Sequence, residues 1–193
     1  MKTTSALHLG LDSHGSINRG CAFKRYVSKI VNNTLINGGG LQDSMIQGIV
    51  FDLYRTLYDP DNEKLIAGAR EILEFASSRV KLCLISRKEG GREQIVADLG
   101  IEGFFTHIEL AEDDKEPRHF QACVDSLGVP ASDILVVGDR VKGEIALGNA
   151  AGMTTAWYKT GKYASELPST EIEQPDTIIT QLSEVRKFLD LTS

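Results

Sequence analysis

The stretch Gly48-Ile49-Val50-Phe51-Asp52-Leu53-Tyr54-Arg55-Thr56-Leu57-Tyr58 decides the reading of this chain. Its first four residues are apolar or small and read as a buried strand that stops on a carboxylate, Asp52. In an open α/β sheet, ligands bind beyond the carboxyl ends of the strands. An acid at that point therefore faces a ligand instead of a core.

Downstream of this strand, strands and helices alternate with short connections. Helical periodicity runs from Glu63 to Ser78, and a second strand, Val80 to Ile85, ends on Ser86. A helix from about Gly91 to Leu99 follows, then a short strand from Phe105 to Glu109 and a helix from Pro117 to Leu127 with proline in its first turn. A fourth strand, Ile134 to Val137, enters Gly138-Asp139 and a helix to Ala151. Strands at Thr154 to Tyr158 and Thr177 to Ile179 and a helix from Leu182 to Leu189 close the pattern. Five βα repeats of this length imply an α/β fold with a doubly wound, Rossmann-like parallel sheet.

The 193 residues divide into an extension, 1–45, and a folded domain, 46–193. The extension is rich in Ser, Gly, Asn and Thr and ends on Gly38-Gly39-Gly40, a flexible punctuation. Its Lys2, Arg19, Lys24, Arg25 and Lys29 against Asp12 and Asp43 give +3, so the remainder carries −9 of the total −6. Phe23, Tyr26, Val27, Ile30 and Val31 fall near helical spacing within Ala22 to Ile36. This segment reads either as an organelle transit sequence or as an unstructured extension.

A body that acidic lacks the basic surface on which sequence-independent nucleic-acid binding runs, so no nucleic-acid partner is expected. Cys21, Cys83 and Cys123 are odd in number and lack metal-like spacing, and Cys83 falls in a core strand. A reducing compartment, the cytoplasm, is the default. No apolar run approaches a membrane span, so no membrane partner is expected and the chain reads as soluble. His8, His14, His107 and His119 show no ligand spacing.

Four residues stand at strand ends or in the loops after them: Asp52, Ser86, Lys115 and Asp139. Their order resembles motifs I to IV of the haloacid dehalogenase (HAD) superfamily of aspartate-nucleophile hydrolases, over about Gln47 to Leu189. The resemblance implies that Asp52 is the nucleophile, attacking phosphorus to give an aspartyl-phosphate. It implies that the Ser86 hydroxyl, in Leu84-Ile85-Ser86-Arg87, and the Lys115 ammonium hold the phosphoryl oxygens, with Arg87 beside Ser86 on the substrate. It further implies Mg²⁺ held by Asp52, the Tyr54 carbonyl and Asp139, with Glu144 at the place of a second motif IV acid. Glu144 reads equally well as a first-turn helix acid.

Two departures from the family pattern matter. Tyr54 fills the position where family phosphatases carry a second Asp that protonates the leaving oxygen and activates water. A tyrosine, with an ordinary pKa of about 10, is a poor base near neutrality, and losing the acid removes a contribution of roughly 10² to 10⁴. Arg55 replaces the usual glycine near the mouth of the site, where it either contacts an anionic substrate or stands as a solvated loop residue.

Three functions are compatible with these residues. The first is a Mg²⁺-dependent phosphatase acting on a phosphorylated small molecule or macromolecule. The second is a degenerate HAD domain that binds a phosphorylated ligand or partner without turnover. The third is a 2-haloacid dehalogenase, whose Asp-x-Tyr-x-Thr pattern the chain shares. Gly138-Asp139-Arg140 is the phosphatase form of motif IV and speaks against the third. Only 33 residues separate Asp52 from Ser86, and the interval to Lys115 is equally short, so neither site of cap insertion is filled. A capless member has an open site, which in this family goes with large substrates or with a homo-oligomer whose neighbouring subunit acts as the lid.

Overall fold

In the computed structural model, residues 45–190 are described. The proposed extension, with its helical stretch Ala22 to Ile36, Cys21, His8 and His14, lies outside the described residues.

The opening stretch forms β1 (Gly48–Asp52), with every residue buried. It pairs in parallel on one side with β4 (Lys81–Arg87) and on the other with β6 (Ile134–Gly138). Together with β5 (His107–Ala111), β7 (Thr154–Tyr158) and β8 (Thr177–Ile179) these strands make a six-stranded sheet of order β5-β4-β1-β6-β7-β8, every neighbouring pair parallel. The chain winds outward from β1 through β4 to β5, then returns to β6 and winds the other way. The order reverses between β1 and β6, which puts a crevice beyond their carboxyl ends.

Both faces of the central strands are covered, which explains why β1 and β6 read as continuous apolar runs instead of alternating ones. Ile49, Phe51, Leu82, Leu84, Leu135 and Val137 pack one face against Ile72, Leu73 and Ala76 of α1 (Ala69–Ser77). Val50, Cys83, Ile85 and Val136 pack the other against Phe120, Cys123 and Leu127 of α3 (Pro117–Leu127). Truncating a fully buried ring such as Phe120 to alanine costs about 3–5 kcal/mol in sites of this kind. Between these helices in sequence lies α2 (Arg92–Asp98), and α4 (Ala146–Ala150) precedes β7.

The structure corrects four expected elements. The helix expected from Glu63 begins only at Ala69, because β2 (Tyr58–Asp59) and β3 (Lys64–Leu65) form a small hairpin first. The Asp59 carboxylate accepts from the Asp61 amide at 3.0 Å and from Asn62 at 2.7 Å, and Glu63 turns through φ 50. These local side-chain bonds outcompete the helical apolar spacing of Leu65 and Ile66. Strand β5 starts two residues late, since Glu102–Phe104 forms a 3₁₀ turn and Phe104 and Phe105 pack against the core. The helix after Asp139 opens with a wide turn, Val141–Ile145, in which Gly143 leaves helical geometry, and only Ala146–Ala150 is regular. The final helix, Leu182–Phe188, is 3₁₀ in type. No cap domain is present among the described residues, and none of their helices is long and apolar enough to cross a membrane.

Candidate active site

The loop leaving β1 is tight. The amides of Leu57 and Tyr58 both donate to the Leu53 carbonyl, at 2.9 and 2.8 Å, and Arg55 sits at φ 64. This returns Thr56 onto the strand end, where its hydroxyl donates to Asp52 Oδ2 at 3.0 Å. Lys115 is held just before α3, whose start is fixed by Glu116 as N-cap, by Pro117 at the first turn and by the His119 ring, which accepts from the Glu116 amide at 2.9 Å. From there the ammonium reaches Asp52 Oδ1 and, at 2.5 Å, Glu144 Oε1.

Glu144 arrives from the wide turn after β6, and Gly138 makes the approach possible. A Cβ on Gly138 would lie 2.6 Å from the Glu144 Cβ, closer than real contacts allow, and a tight 3.2 Å from its carboxylate. Asp139, the next residue, is fixed by its backbone. Its carbonyl accepts from the Trp157 indole at 2.9 Å, and that ring packs on Val141 and Ile145. Glu166 ties the following turn by accepting from the Val141 amide at 2.9 Å and pairing with Arg140 at 3.2 Å.

Asp52, Asp139 and Glu144 are all buried, and the Lys115 ammonium pairs with Asp52 and Glu144. Burial pushes the Asp52 carboxyl up to about 6, with Lys115 opposing and Glu144 adding. Burial, then the charges of Asp52 and Glu144, push Asp139 up to about 8. Burial also works against Glu144, but its contacts with Lys115 outweigh this and hold it below the usual carboxylate range. Desolvation disfavours the Lys115 cation, yet its two carboxylates raise it above its ordinary value, so it stays charged. Asp139 Oδ2 and Glu144 Oε2 are buried without a hydrogen-bond partner. A buried cluster with this excess of negative charge and two orphaned oxygens suits a cation. Among the described residues no three His, Cys, Asp or Glu side chains stand in metal-ligating geometry. Mg²⁺ asks for less, because it is commonly bound by one or two carboxylates and completes its shell with water and substrate phosphate.

These residues open on a cleft of about 610 Å³, whose wall includes Asp52, Tyr54, Arg55, Lys115, Asp139 and Glu144. Arg87 is also on the wall, half-exposed and paired with Glu89 at 2.5 Å and with Asp114 at 3.4 Å. Ser86 is placed differently. The register sets Asp52 opposite Ile85, so Ser86 lies one residue further along β4, and it is fully buried and absent from the cleft wall. Its hydroxyl instead meets the Arg92 guanidinium at 3.5 Å.

Sequence reasoning passed over Arg92, Trp157 and Glu166. Only the order of hydrophobic strand and helix could have flagged Trp157, and nothing local marked the other two, since Glu166 pairs with a residue 26 positions away and Arg92 meets a ring 38 positions away.

The HAD-hydrolase-like family model matches residues 115–185. A glyceraldehyde 3-phosphate phosphatase of Pyrococcus furiosus is 29% identical over 126 residues, 57% of this chain and 52% of that protein. The chain spans about half, or less, of the length of the curated relatives it matches. Among solved structures, the magnesium-bound HAD-hydrolase YfnB of Bacillus subtilis aligns with TM-score 0.63 at 14% identity, over 76% of this chain and 100% of that one. A 2-haloacid dehalogenase of Pseudomonas syringae aligns with TM-score 0.63 at 18% identity, over 75% of this chain and 98% of that one. At such identities these structures share the fold alone. The chain is thus similar over residues 115–185 to HAD-hydrolase-like proteins and shares the fold of haloacid dehalogenase-like structures, with no cap domain among its described residues.

Proposed function

We propose that the chain is a Mg²⁺-dependent phosphatase that works through an aspartyl-phosphate on Asp52. The observation that carries this is the convergence of Asp52, Lys115, Asp139 and Glu144 on one cleft at the carboxyl edge of the sheet. With its carboxyl near 6, Asp52 is mostly ionised at neutral pH, and Thr56 and Lys115 fix both of its oxygens. An Asp52 oxygen forms the bond to phosphorus as the ester P–O bond breaks, and the leaving oxygen takes its proton from solvent. Water then attacks the aspartyl-phosphate, releasing inorganic phosphate and restoring the carboxylate. Lys115 neutralises charge on the nucleophile and the phosphoryl oxygens, and Glu144 holds Lys115 in place.

Asp52, Asp139 and the Tyr54 carbonyl would hold the Mg²⁺, with Glu144 beside them. The bound ion would supply charge neutralisation on the phosphoryl oxygens.

Tyr54 supplies no base. Its ring is engaged with Tyr58 at 5.3 Å and with Arg92 at 3.9 Å, and a phenol is a poor base near neutrality. Substrates with a leaving group of low pKa suffer least from this. The same observation supports a second reading, a domain that binds a phosphorylated ligand without turning it over.

Hydrolysis of p-nitrophenyl phosphate with and without Mg²⁺ separates the two, together with glyceraldehyde 3-phosphate, the compound in the name of the matched relatives. Metal-dependent turnover that Asp52→Asn removes supports the phosphatase. Turnover that appears only in Tyr54→Asp supports the silent binder. Halide release from a 2-haloacid without metal overturns both.

A further inference from the structure

Arg92 is the most buried basic residue on the cleft wall, 7% exposed. Its guanidinium carbon stands 3.9 Å from the centre of the Tyr54 ring. One terminal nitrogen donates to Ser86 Oγ at 3.5 Å, and the other reaches the half-exposed Glu89 at 3.2 Å, a pair that solvent weakens. Nε is buried and has no hydrogen-bond partner. A guanidinium carries five donors in a rigid fork, and here most are unused or poorly used. Burying a cation this way is costly unless an anion meets it.

We propose that Arg92 is a further substrate-binding residue, a second cation that grips the oxygens of a tetrahedral phosphoryl group alongside Lys115. This rests on the reading of the cleft as a phosphoryl site. Tyr54 is then a positioning residue. Its ring is fixed against Tyr58, with the planes tilted by 52°, and offers a flat face on which the planar guanidinium stacks. The position that would otherwise hold an acid holds the platform for a cation. Ser86, buried and off the cleft wall, acts through Arg92 by orienting one of its nitrogens. Stacking on one face and a hydroxyl at one edge leave the fork aimed as a unit, the geometry in which arginine binds phosphate through paired hydrogen bonds.

The test is calorimetric titration of the full chain, with Mg²⁺ present, using inorganic phosphate and orthovanadate as probes. Arg92→Gln is expected to weaken phosphate about 10- to 100-fold, the loss of a paired charge-assisted contact. Tyr54→Leu weakens it about 10-fold by removing the platform, whereas Tyr54→Phe, which keeps the ring, binds as the native chain does. Lys142→Gln, an exposed residue also on the cleft wall, shows what loss of a solvated positive charge does, and its effect stays within about threefold. Circular dichroism verifies folding, and Arg92→Lys serves if the glutamine variant fails to fold, since an ammonium cannot stack or fork and weakens binding too. Native-like phosphate affinity in a folded Arg92 variant overturns the proposal. Weakening by Tyr54→Phe equal to that by Tyr54→Leu overturns the platform, and no phosphate binding by the native chain overturns the whole inference. Binding needs no turnover, so phosphate held through Arg92 in a chain that hydrolyses nothing sustains the inference and sinks the phosphatase. Aryl phosphate turnover with unchanged KM in Arg92→Gln does the reverse.

Discussion

Two buried polar clusters, one around Asn149 and Thr155 and one at the cleft, are built on opposite principles. At Asn149 every group is answered. Its side-chain amide donates to the carbonyls of Ile172 and Gln174, at 2.6 and 2.7 Å, and its oxygen accepts from the Thr155 hydroxyl at 2.9 Å. Asp176 in turn accepts from the Thr155 amide at 2.9 Å. At the cleft, Asp52 and Glu144 close on one ammonium with Asp139 buried nearby, and two carboxylate oxygens are left unanswered. The first cluster pins the loop before β8 to α4 and has nothing left for a ligand. The second is underpaid in positive charge, and that deficit is its chemistry.

The contrast breaks most visibly if the ammonium that pairs with Asp52 and Glu144 is removed. Lys115→Met strands Asp52 and Glu144 in a buried setting, and the expected loss is about 3–5 kcal/mol in urea unfolding, together with loss of metal-dependent turnover. A folded Lys115→Met of native stability would mean that the carboxylates simply take up protons at no cost.

Asn149→Ala attacks the satisfied cluster. It leaves two carbonyls and the Thr155 hydroxyl without their partner, and about 2 kcal/mol of stability should go, with phosphate binding unchanged. A change in phosphate affinity as large as the change in stability would show that the two clusters are one system.

Asp139→Asn should move stability the other way. It removes an acid that burial and the neighbouring carboxylates keep from ionising, so the metal-free chain gains about 1–2 kcal/mol, while Mg²⁺ ceases to raise its melting temperature. A destabilised Asp139→Asn would argue that Asp139 is a structural acid like Asp176.

The same division governs what could be read before the structure. The strands were legible because a parallel sheet buried on both faces needs unbroken apolar runs, and Ile49 to Phe51, Leu82 to Ile85 and Ile134 to Val137 supply them. The residues at their ends followed from the chain order. What stayed hidden depends on partners far apart in sequence or on local turn chemistry. Asp59 bonding its own loop turned expected helix into hairpin, and Gly138 gained its meaning only when Glu144 was seen against it. Arg92 carried no motif. Its role comes from a ring 38 positions earlier and a hydroxyl 6 positions earlier, contacts that only folding creates.

The smallest expected effect is the pH dependence of the metal-free chain, and its sign sharpens the comparison. Asp52 and Asp139 have an unfolded value of 3.8 and folded values of about 6 and about 8. Between those limits the folded chain binds more protons than the unfolded one, so stability falls as pH rises. Lys115, raised above its ordinary value of 10.5, is protonated in both states over this range and adds no slope. Glu144, held low, is already ionised in both states above pH 6 and adds none either. In EDTA, melting should therefore come earlier at pH 8 than at pH 6, by on the order of 1 kcal/mol or about 2–4 °C. Mg²⁺ should shrink or invert the difference, because a cation binds the deprotonated carboxylates and stabilises the form that higher pH favours. Asp139→Asn should flatten the metal-free slope, and Asn149→Ala should lower both melting points and leave the slope alone. If the slope survives Asp139→Asn, the protons are held elsewhere, and the crowding of the three acids is not what sets the chain's response to pH.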